Sequence, residues 1–239
     1  MKGYIHSYES LAALDGEGVR FGVFMSGCPL RCVHCHNPDT QNGQGSETDA
    51  EKLVRKIKRY KPYFGENGGA TFSGGEPLLQ ADFLSEVTEL LEKEGIKYAV
   101  DTSGAVPLSE KVKTVLSGAQ LVMLDIKFPD DEMYKKYTGM DMENTLKTLS
   151  FLEEEKIRVW IRTVIIPGIN DTAEYMKKYA QVVKGVKCIE KYELLPFHRM
   201  GFEKYEKLGI KNPLKNTPAM DKFECEKLQE YLNLIIKEQ

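Results

Sequence analysis

Short apolar runs alternate with longer segments whose apolar residues recur every three or four positions along most of the chain. A short apolar run bounded by turn residues is typical of a buried strand, and the longer spacing is typical of a helix with one buried face. The predicted strands cover residues 19–25, 70–72, 96–100, 121–126, 158–166 and 188–195. The predicted helices cover residues 48–60, 78–94, 108–116 (with Ser109 as N-cap), 130–137, 143–155, 172–183 and 220–236.

This alternation amounts to about six strand–helix units and predicts an α/β fold with a parallel sheet and helices packed outside it. Six units are fewer than the eight of a closed barrel. The options are therefore a partial (β/α)6 barrel, open on one side and with a C-terminal helix, and a doubly wound sheet. No linker or repeat interrupts the chain, so we expect residues 1–239 to form a single domain. In either architecture the functional residues should lie at the carboxyl ends of the strands.

Composition restricts the class of protein further. The 239 residues include 33 Lys and Arg against 36 Asp and Glu, a net charge of −3, which argues against nucleic acid or an anionic membrane as the main partner. The sequence contains no stretch of about 18 apolar residues, so it predicts no membrane span. The N-terminus lacks the apolar core of an export signal. We expect the protein to be cytoplasmic and monomeric.

Cysteine spacing is the strongest chemical signal in the sequence. Three of the five cysteines, Cys28, Cys32 and Cys35, fall within eight residues in the spacing C-x3-C-x2-C, directly after the first predicted strand. Thiols clustered in this way, in a reducing compartment, are typical of metal ligands and not of disulfides. Three thiolates can hold three irons of a [4Fe–4S] cluster and leave the fourth iron open for catalysis. The alternative is a structural zinc ion with His34 or His36 as fourth ligand, which would indicate a non-catalytic interaction module.

Glycines and charged residues gather at the next strand ends. The Gly74-Gly75 pair lets a ligand approach the backbone closely, although such a pair also suits a plain turn. Asp101 and Asp125 end neighbouring strands. Together with Lys127 they predict either a binding site or a salt-bridged rim.

The last two strands carry one candidate residue each. Arg162 needs a partner if it is buried, which is either a ligand carboxylate that matches its guanidinium fork or a carboxylate of a neighbouring helix. His198 follows the final strand and is either structural or ligand-binding. Cys188 and Cys225 are isolated in the sequence, and we expect both to be ordinary thiols.

Longer stretches around the cysteines resemble a known family. The spacing C-x3-C-x2-C after the first strand resembles the radical S-adenosylmethionine (radical SAM) superfamily, whose fold is a partial or full (β/α) barrel. The superfamily usually has an aromatic residue before its third cysteine, where His34 stands. The resemblance to the glycyl-radical-enzyme activating enzymes is carried by Gly16-Glu17-Gly18-Val19-Arg20, Phe24-Met25-Ser26-Gly27-Cys28 and Cys35-His36-Asn37-Pro38, and it spans nearly the whole chain. The signature of these activating enzymes usually has proline where Glu17 stands.

This resemblance implies an oxidoreductase in which Cys28, Cys32 and Cys35 hold a [4Fe–4S] cluster that binds S-adenosylmethionine. One electron from a reduced flavodoxin or ferredoxin would cleave the sulfonium, and the 5′-deoxyadenosyl radical would take a hydrogen atom from a glycine of a glycyl radical enzyme. No cysteine lies between Cys35 and Gly74. Because several activators of other glycyl radical enzymes carry extra cysteines there, we expect pyruvate formate-lyase as the partner. The alternatives are another glycyl radical enzyme and a small-molecule substrate.

The resemblance also implies roles for residues at the strand ends. Asp15 and Gly16, just before the first strand, would contact the partner's glycine loop. The residues implied to bind S-adenosylmethionine are His34, Cys35, His36, Gly74, Gly75, Glu76, Thr102, Asp125, Ile126, Lys127, Arg162 and His198. Those implied to hold a monovalent cation, Na⁺ or K⁺, are Asp101, Thr102, Met123 and Asp125.

Overall fold

The chain folds around one sheet of eight strands in a computed structural model that describes residues 1–238. The strands are β1 (Lys2–Ala12), β2 (Arg20–Met25), β3 (Ser46–Asp49), β4 (Gly69–Gly74), β5 (Tyr98–Thr102), β6 (Leu121–Asp125), β7 (Val159–Ile165) and β8 (Ile189–Pro196). Their order in the sheet is β3-β1-β2-β4-β5-β6-β7-β8. Because β3 and β8 are its two ends and do not pair with each other, the barrel is open.

One or two helices follow each strand from β3 to β8. They are α1 (Ala50–Lys58), α2 (Ala81–Lys93), α3 (Glu110–Ser117), α4 (Asp131–Thr138), α5 (Glu143–Glu154), α6 (Ala173–Val182), α7 (Phe202–Lys207) and α8 (Lys222–Lys237). Ser109 caps α3 as predicted, since its side chain accepts a hydrogen bond from the backbone N–H of Val112. Over residues 1–238, no helix combines the length and the apolar composition that crossing a membrane requires.

The six parallel strands, β2 and β4 to β8, confirm the six predicted strand–helix units and the open barrel. Two antiparallel strands lie outside the prediction: β1 pairs with β2 on one side and with β3 on the other. Most side chains of β1 are exposed or half-buried, so β1 lacks the apolar run on which strand prediction depends. The short, polar β3 occupies the start of the predicted helix 48–60, and α1 begins only after its N-cap Asp49.

Side-chain alternation divides the central sheet into two faces. Val122 and Leu124 of β6 belong to the main core beneath the helices, whereas Leu121 and Met123 form part of a small cluster on the other, inner face. Successive side chains of a strand point to opposite faces. The next residue of that series, Asp125, therefore lies on the inner face, at the carboxyl end of the strand.

A buried arginine joins β2 to the amino ends of its neighbours. Arg20 is 1% exposed, and burial lowers its pKa to about 10. Such a cation is tolerated only where its donors are satisfied. Its hydrogen bonds go to Thr71 Oγ1 (3.0 Å), to the carbonyl oxygens of Ala70 (2.6 Å), Asn67 (2.9 Å) and Glu17 (3.3 Å), and to Gln120 Oε1 (3.3 Å).

We predict that Arg20→Met lowers the free energy of unfolding by about 3 to 5 kcal/mol, because several buried acceptors lose their donor at once. Urea denaturation followed by circular dichroism measures the change. Arg55→Met is the matched control, because Arg55 pairs with Glu51 on the exposed face of α1. Equal effects of the two substitutions would contradict the structural role of Arg20.

Candidate active site

A cavity of about 230 Å³ lies at the carboxyl ends of the parallel strands. Its wall is made by the loop after β2, by the turn after β4 and by the inner-face residues at the ends of β5, β6 and β7. Most of the predicted site residues meet here. The lining residues are Cys28, Leu30, Cys32, His34, Cys35, His36, Asn37, Thr40, Ser73, Gly74, Gly75, Asp101, Thr102, Ser103, Asp125, Lys127, Arg162, Val164 and Leu195.

The loop that carries the three cysteines is fastened by its backbone. The N–H of Gly27 donates to the carbonyl of Thr40 (2.6 Å). On the opposite side, the N–H of Arg31 donates to the carbonyl of Thr138 at the end of α4 (2.7 Å). The loop is therefore held at both sides, with all three thiols directed at the cavity.

The environment of the thiols fits a metal cluster. Burial raises the pKa of Cys28 and of Cys32 to about 12 and also raises the pKa of Cys35. Since the thiolate is the form that binds metal, a cationic centre is needed to stabilise three of them together. Lys127 contributes one positive charge beside Cys32. Cys225, by contrast, is buried on α8 against the carbonyl of Leu194, away from the cavity.

The turn after β4 approaches the cysteine loop backbone to backbone. The N–H of Gly75 donates to the carbonyl of Met25 (2.9 Å), and a Cβ at Gly75 would overlap the carbonyl oxygen of Gly27. Gly74 has a φ of +104°, a conformation that favours glycine. Both glycines are therefore required for the fit of the two loops, in addition to any contact with a ligand.

Glu76 is buried beneath the cavity wall and is not among the residues that line the cavity. It is 0% exposed, and its carboxylate accepts hydrogen bonds from Thr102 Oγ1 (2.5 Å), Ser103 Oγ (2.5 Å), the N–H of Ser103 (2.9 Å) and the N–H of Leu78 (3.1 Å). The carboxylate thus ties the end of β4 to the end of β5. Ile126 is also buried and does not line the cavity. The roles of Glu76 and Ile126 in cofactor binding stay predictions.

Four charged side chains converge on the inner face at the strand ends. Arg162 binds Asp101 through Nη2 and Asp125 through Nε (3.3 Å). Lys127 Nζ lies 2.6 Å from Asp125 Oδ2. The expected convergence of the two aspartates is therefore present, and Arg162 pairs with strand-end carboxylates instead of with a helix. A set of two anions and two cations matches a zwitterionic ligand such as an α-amino acid group.

Burial and ion pairing shift the pKa values of the two aspartates in opposite directions. Burial raises the pKa of Asp101 in spite of Arg162. For Asp125, burial also favours the neutral acid, but Lys127 and Arg162 outweigh it and hold the pKa below its ordinary value. Nη1 of Arg162 also lies 3.9 Å from Sδ of Met123. Arg162 thus contacts three of the four residues that were predicted to hold a monovalent cation, and that cation stays a prediction.

Three histidines leave ring nitrogens unpaired beside the cavity. His36 stacks on His198 with ring centroids 3.9 Å apart, and His34 meets the ring of Phe128 edge-on. Burial lowers the pKa of His34 to about 3 and that of His36 to about 4, so both are neutral. In the part of the chain that the structure describes, the buried side-chain N and O atoms without a hydrogen-bond partner are Nδ1 and Nε2 of His34, Nε2 of His36 and Nδ1 of His198.

Buried polar atoms in folded proteins almost always have partners. Their concentration on three aromatic rings beside one cavity indicates that a polar, flat ligand completes the site. The adenine of S-adenosylmethionine has this character, because it combines a π face with hydrogen-bonding edges. The rings of His34, His36 and His198 therefore fit the cofactor that the sequence implies.

Some functional positions lie outside the sequence prediction. Ser73 lines the cavity and donates to Asp101 Oδ2 (2.7 Å). Its position directly before Gly74, at the end of a predicted strand, could have marked it as a site residue. Helix α7 covers the cysteine loop: Tyr205 Oη donates to the carbonyl of Cys35 (2.9 Å) and Lys204 Nζ lies 3.0 Å from Asp39. No local sequence pattern predicts that contact.

Asp15 and Gly16 lie on the loop between β1 and β2, behind the cavity. Thr71 Oγ1 donates to the carbonyl of Asp15 (2.7 Å). Burial raises the pKa of the Asp15 carboxyl, and Arg162 is close enough to oppose that effect. The loop therefore reaches the interior of the barrel beneath the charged set.

Comparison with known proteins identifies the family. A sequence profile of the Radical SAM superfamily matches residues 23–180. The pyruvate formate-lyase-activating enzyme of Clostridium pasteurianum is 44% identical over 237 residues, which cover 98% of this chain and 99% of that protein. The protein of the same name from Staphylococcus epidermidis is 38% identical over 241 residues, which cover 98% of this chain and 96% of that protein.

Solved structures share the fold. A domain of the pyruvate-formate lyase-activating enzyme of Bacteroides vulgatus superposes with a TM-score of 0.58 and 24% identity over 70% of this chain and 94% of that one. Streptococcus suis SuiB bound to precursor peptide SuiA superposes with a TM-score of 0.69 and 16% identity over 90% of this chain and 45% of that one. At these identities the similarity concerns the partial barrel alone.

The cysteine loop, the profile match and relatives of nearly equal length define a radical SAM protein. Within that superfamily, the chain belongs to the family of the pyruvate formate-lyase-activating enzymes. The cofactors of the superfamily are a [4Fe–4S] cluster and S-adenosylmethionine, and the three clustered cysteines match the cluster. Zinc binding by a non-catalytic module is therefore set aside.

We predict that Gly75→Ala lowers both the iron content and the affinity for S-adenosylmethionine, because the new methyl group must displace the carbonyl of Gly27 and with it the cysteine loop. Iron per chain and the ligand-induced change in cluster absorption measure the two effects. Gly185→Ala is the control, since a Cβ at Gly185 meets open space, although its positive φ makes that position the less favourable of the two for alanine. Full iron loading and unchanged affinity in Gly75→Ala would contradict the proposed fit.

The predicted monovalent cation has its own test. If Na⁺ or K⁺ binds between Asp101 and Asp125, the affinity for S-adenosylmethionine should rise when either ion replaces tetramethylammonium, because Arg162 is then released toward the cofactor. Constant ionic strength separates this effect from general screening. Equal affinity in all three salts would show that Arg162 is the permanent counter-charge.

Proposed function

We propose that this protein activates pyruvate formate-lyase by converting one of its glycines to a glycyl radical. The observation that carries the proposal is that three clustered thiols and a balanced set of buried charges line one cavity at the carboxyl ends of the parallel strands. The names of the full-length relatives support pyruvate formate-lyase as the partner. The absence of cysteine between Cys35 and Gly74 supports it independently.

Different residues of the cavity would bind the cluster and the different parts of S-adenosylmethionine. Cys28, Cys32 and Cys35 would hold the [4Fe–4S] cluster. Arg162 would bind the carboxylate of the methionyl group through its planar fork, and Asp125 with Lys127 would orient the methionyl and ribose parts. The rings of His36 and His198 would pack on the adenosine, where their unpaired nitrogens find partners.

The reaction consumes one electron and one S-adenosylmethionine for each hydrogen atom removed from the partner's glycine Cα, and it yields methionine and 5′-deoxyadenosine. The bound cluster and cofactor supply the reductive cleavage and the hydrogen abstraction. A reduced flavodoxin or ferredoxin would supply the electron. The protein's own contribution is position and exclusion of water, for which the buried cavity is suited.

An open barrel suits a protein substrate. Strands β3 and β8 do not pair with each other, and we infer that a glycine loop of the partner enters on this open side to reach the cavity. We infer that a single chain suffices, since one chain brings all of the cavity's residues together. A radical enzyme acting on a small molecule would have less need of such an open side.

We predict that Cys28→Ala, Cys32→Ala and Cys35→Ala each abolish radical formation on the partner, because each removes one iron ligand. The assay mixes the reconstituted, reduced protein with S-adenosylmethionine and pyruvate formate-lyase under anaerobic conditions. Electron paramagnetic resonance detects the glycyl radical, and 5′-deoxyadenosine is quantified in the same samples.

The matched controls are Cys188→Ala and Cys225→Ala, which remove thiols outside the cavity and should retain about four irons per chain. Loss of the cluster in either control, with the fold intact, would show that the ligands are misassigned. Cleavage of S-adenosylmethionine by the unmodified protein without any glycyl radical signal would overturn the proposed partner.

A further inference from the structure

The loop of residues 13–19 closes the amino end of the barrel from inside. It joins β1 to β2, and its Gly16 lies against Ala99 and Leu121, which belong to the inner-face cluster. Its Gly18, with a φ of +69°, packs directly on the backbone of residues 67–68. The loop is therefore part of the barrel interior, and its shape determines where Asp15 lies.

The inner side of this loop is held by neutral hydrogen bonds and by Arg20. Thr71 Oγ1 donates to the carbonyl of Asp15, and Arg20 Nη1 donates to the carbonyl of Glu17. Both of these contacts come from β2 and β4, the strands next to the loop. They hold the loop to the near side of the sheet only.

The outer side is held by an ion triad that reaches the far side of the sheet. Arg158 immediately precedes β7 and Glu190 lies in β8, whereas Glu17 lies in the loop. Arg158 contacts Glu17 through Nη2 (2.7 Å) and Nη1 (3.1 Å), and Glu190 through Nε (2.6 Å) and Nη2 (2.8 Å). Strands β5 and β6 lie between β4 and β7 in the sheet order. The triad therefore bridges the inside of the open barrel.

The geometry of the triad separates it from an ordinary surface ion pair. The three side chains are between 26% and 41% exposed, and an isolated pair at such exposure contributes little. Here one guanidinium binds both carboxylates in bidentate fashion, which is the arrangement that adds strength and direction. The hydrogen bonds from Arg158 hold the pKa of Glu17 below its ordinary value.

We propose that Glu17, Arg158 and Glu190 form a latch that positions loop 13–19 for the glycine segment of the partner. This inference rests on the proposed function, because the partner is what the loop would meet. A proline at this position would restrict the loop through its fixed φ. In this chain the restriction is exerted by an ion triad instead. Glu17, Arg158 and Glu190 are positioning residues and touch no reacting atom.

The first experiment is amide hydrogen exchange on the full chain with its cluster reconstituted, under anaerobic conditions, read by mass spectrometry on peptides covering residues 13–19. Glu17→Gln and Arg158→Gln should each speed exchange in this loop about fivefold, because the latch is lost. Arg55→Gln is the control, since it removes an exposed arginine that pairs along α1. Unchanged exchange in both latch variants would overturn the inference, whatever the activity of the enzyme.

The second experiment uses rescue by proline. The N–H of Glu17 donates no hydrogen bond within residues 1–238, so Glu17→Pro removes none. Glu17→Gln and Arg158→Gln should raise the KM for a peptide containing the partner's glycine segment, while cleavage of S-adenosylmethionine without peptide is unchanged. Glu17→Pro should restore the KM, and Arg158→Gln should have no further effect in that background.

The outcomes separate the latch from the proposed function. A KM that responds to Arg158→Gln equally in the unmodified protein and in the Glu17→Pro variant would show that Arg158 acts elsewhere, and the latch would be rejected. An absence of glycyl radical in the unmodified protein, with the exchange result as expected, would reject the proposed function and leave the latch as a device that positions the loop.

Discussion

Burial of balanced charge is the constraint on which this site depends. Asp101, Asp125, Lys127 and Arg162 are each less than a fifth exposed. A charge withdrawn from water in this way is stable only if an opposite charge and hydrogen bonds replace the solvent. The set as a whole is neutral, so a zwitterionic ligand can take over individual pairings without leaving an uncompensated charge behind. The cavity is therefore prepared for a ligand that carries both signs.

The sequence predicts the class of fold and the position of this set, for identifiable physical reasons. Strand–helix alternation predicts the six parallel strands, and period-two alternation along β6 places Asp125 on the inner face with Met123. What pattern cannot predict is register. Arg162 lies opposite Asp125 because β6 and β7 pair in that register. The register therefore decides that Arg162 pairs with the strand-end aspartates and not with a carboxylate on a helix.

The features that the sequence does not reveal depend on contacts between distant segments. Strand β1 is stabilised by its two neighbours and not by an apolar run of its own. The contact of Tyr205 with Cys35 joins residues 170 positions apart, and Arg158 with Glu17 joins residues 141 positions apart. Glu76 has the sequence context of a ligand residue, but four internal hydrogen bonds direct its carboxylate into the protein.

The open sheet has a consequence for self-association. A sheet that does not close exposes two rows of backbone N–H and C=O groups, which can recruit a strand from another chain. Here one edge is β3, only four residues long and carrying Glu47 and Asp49. The other is β8, whose exposed residues are the charged Glu190 and Lys191. Short length and charge at the edges oppose the strand addition that leads to aggregates, so the barrel can remain open to a protein substrate without polymerising through its own edges.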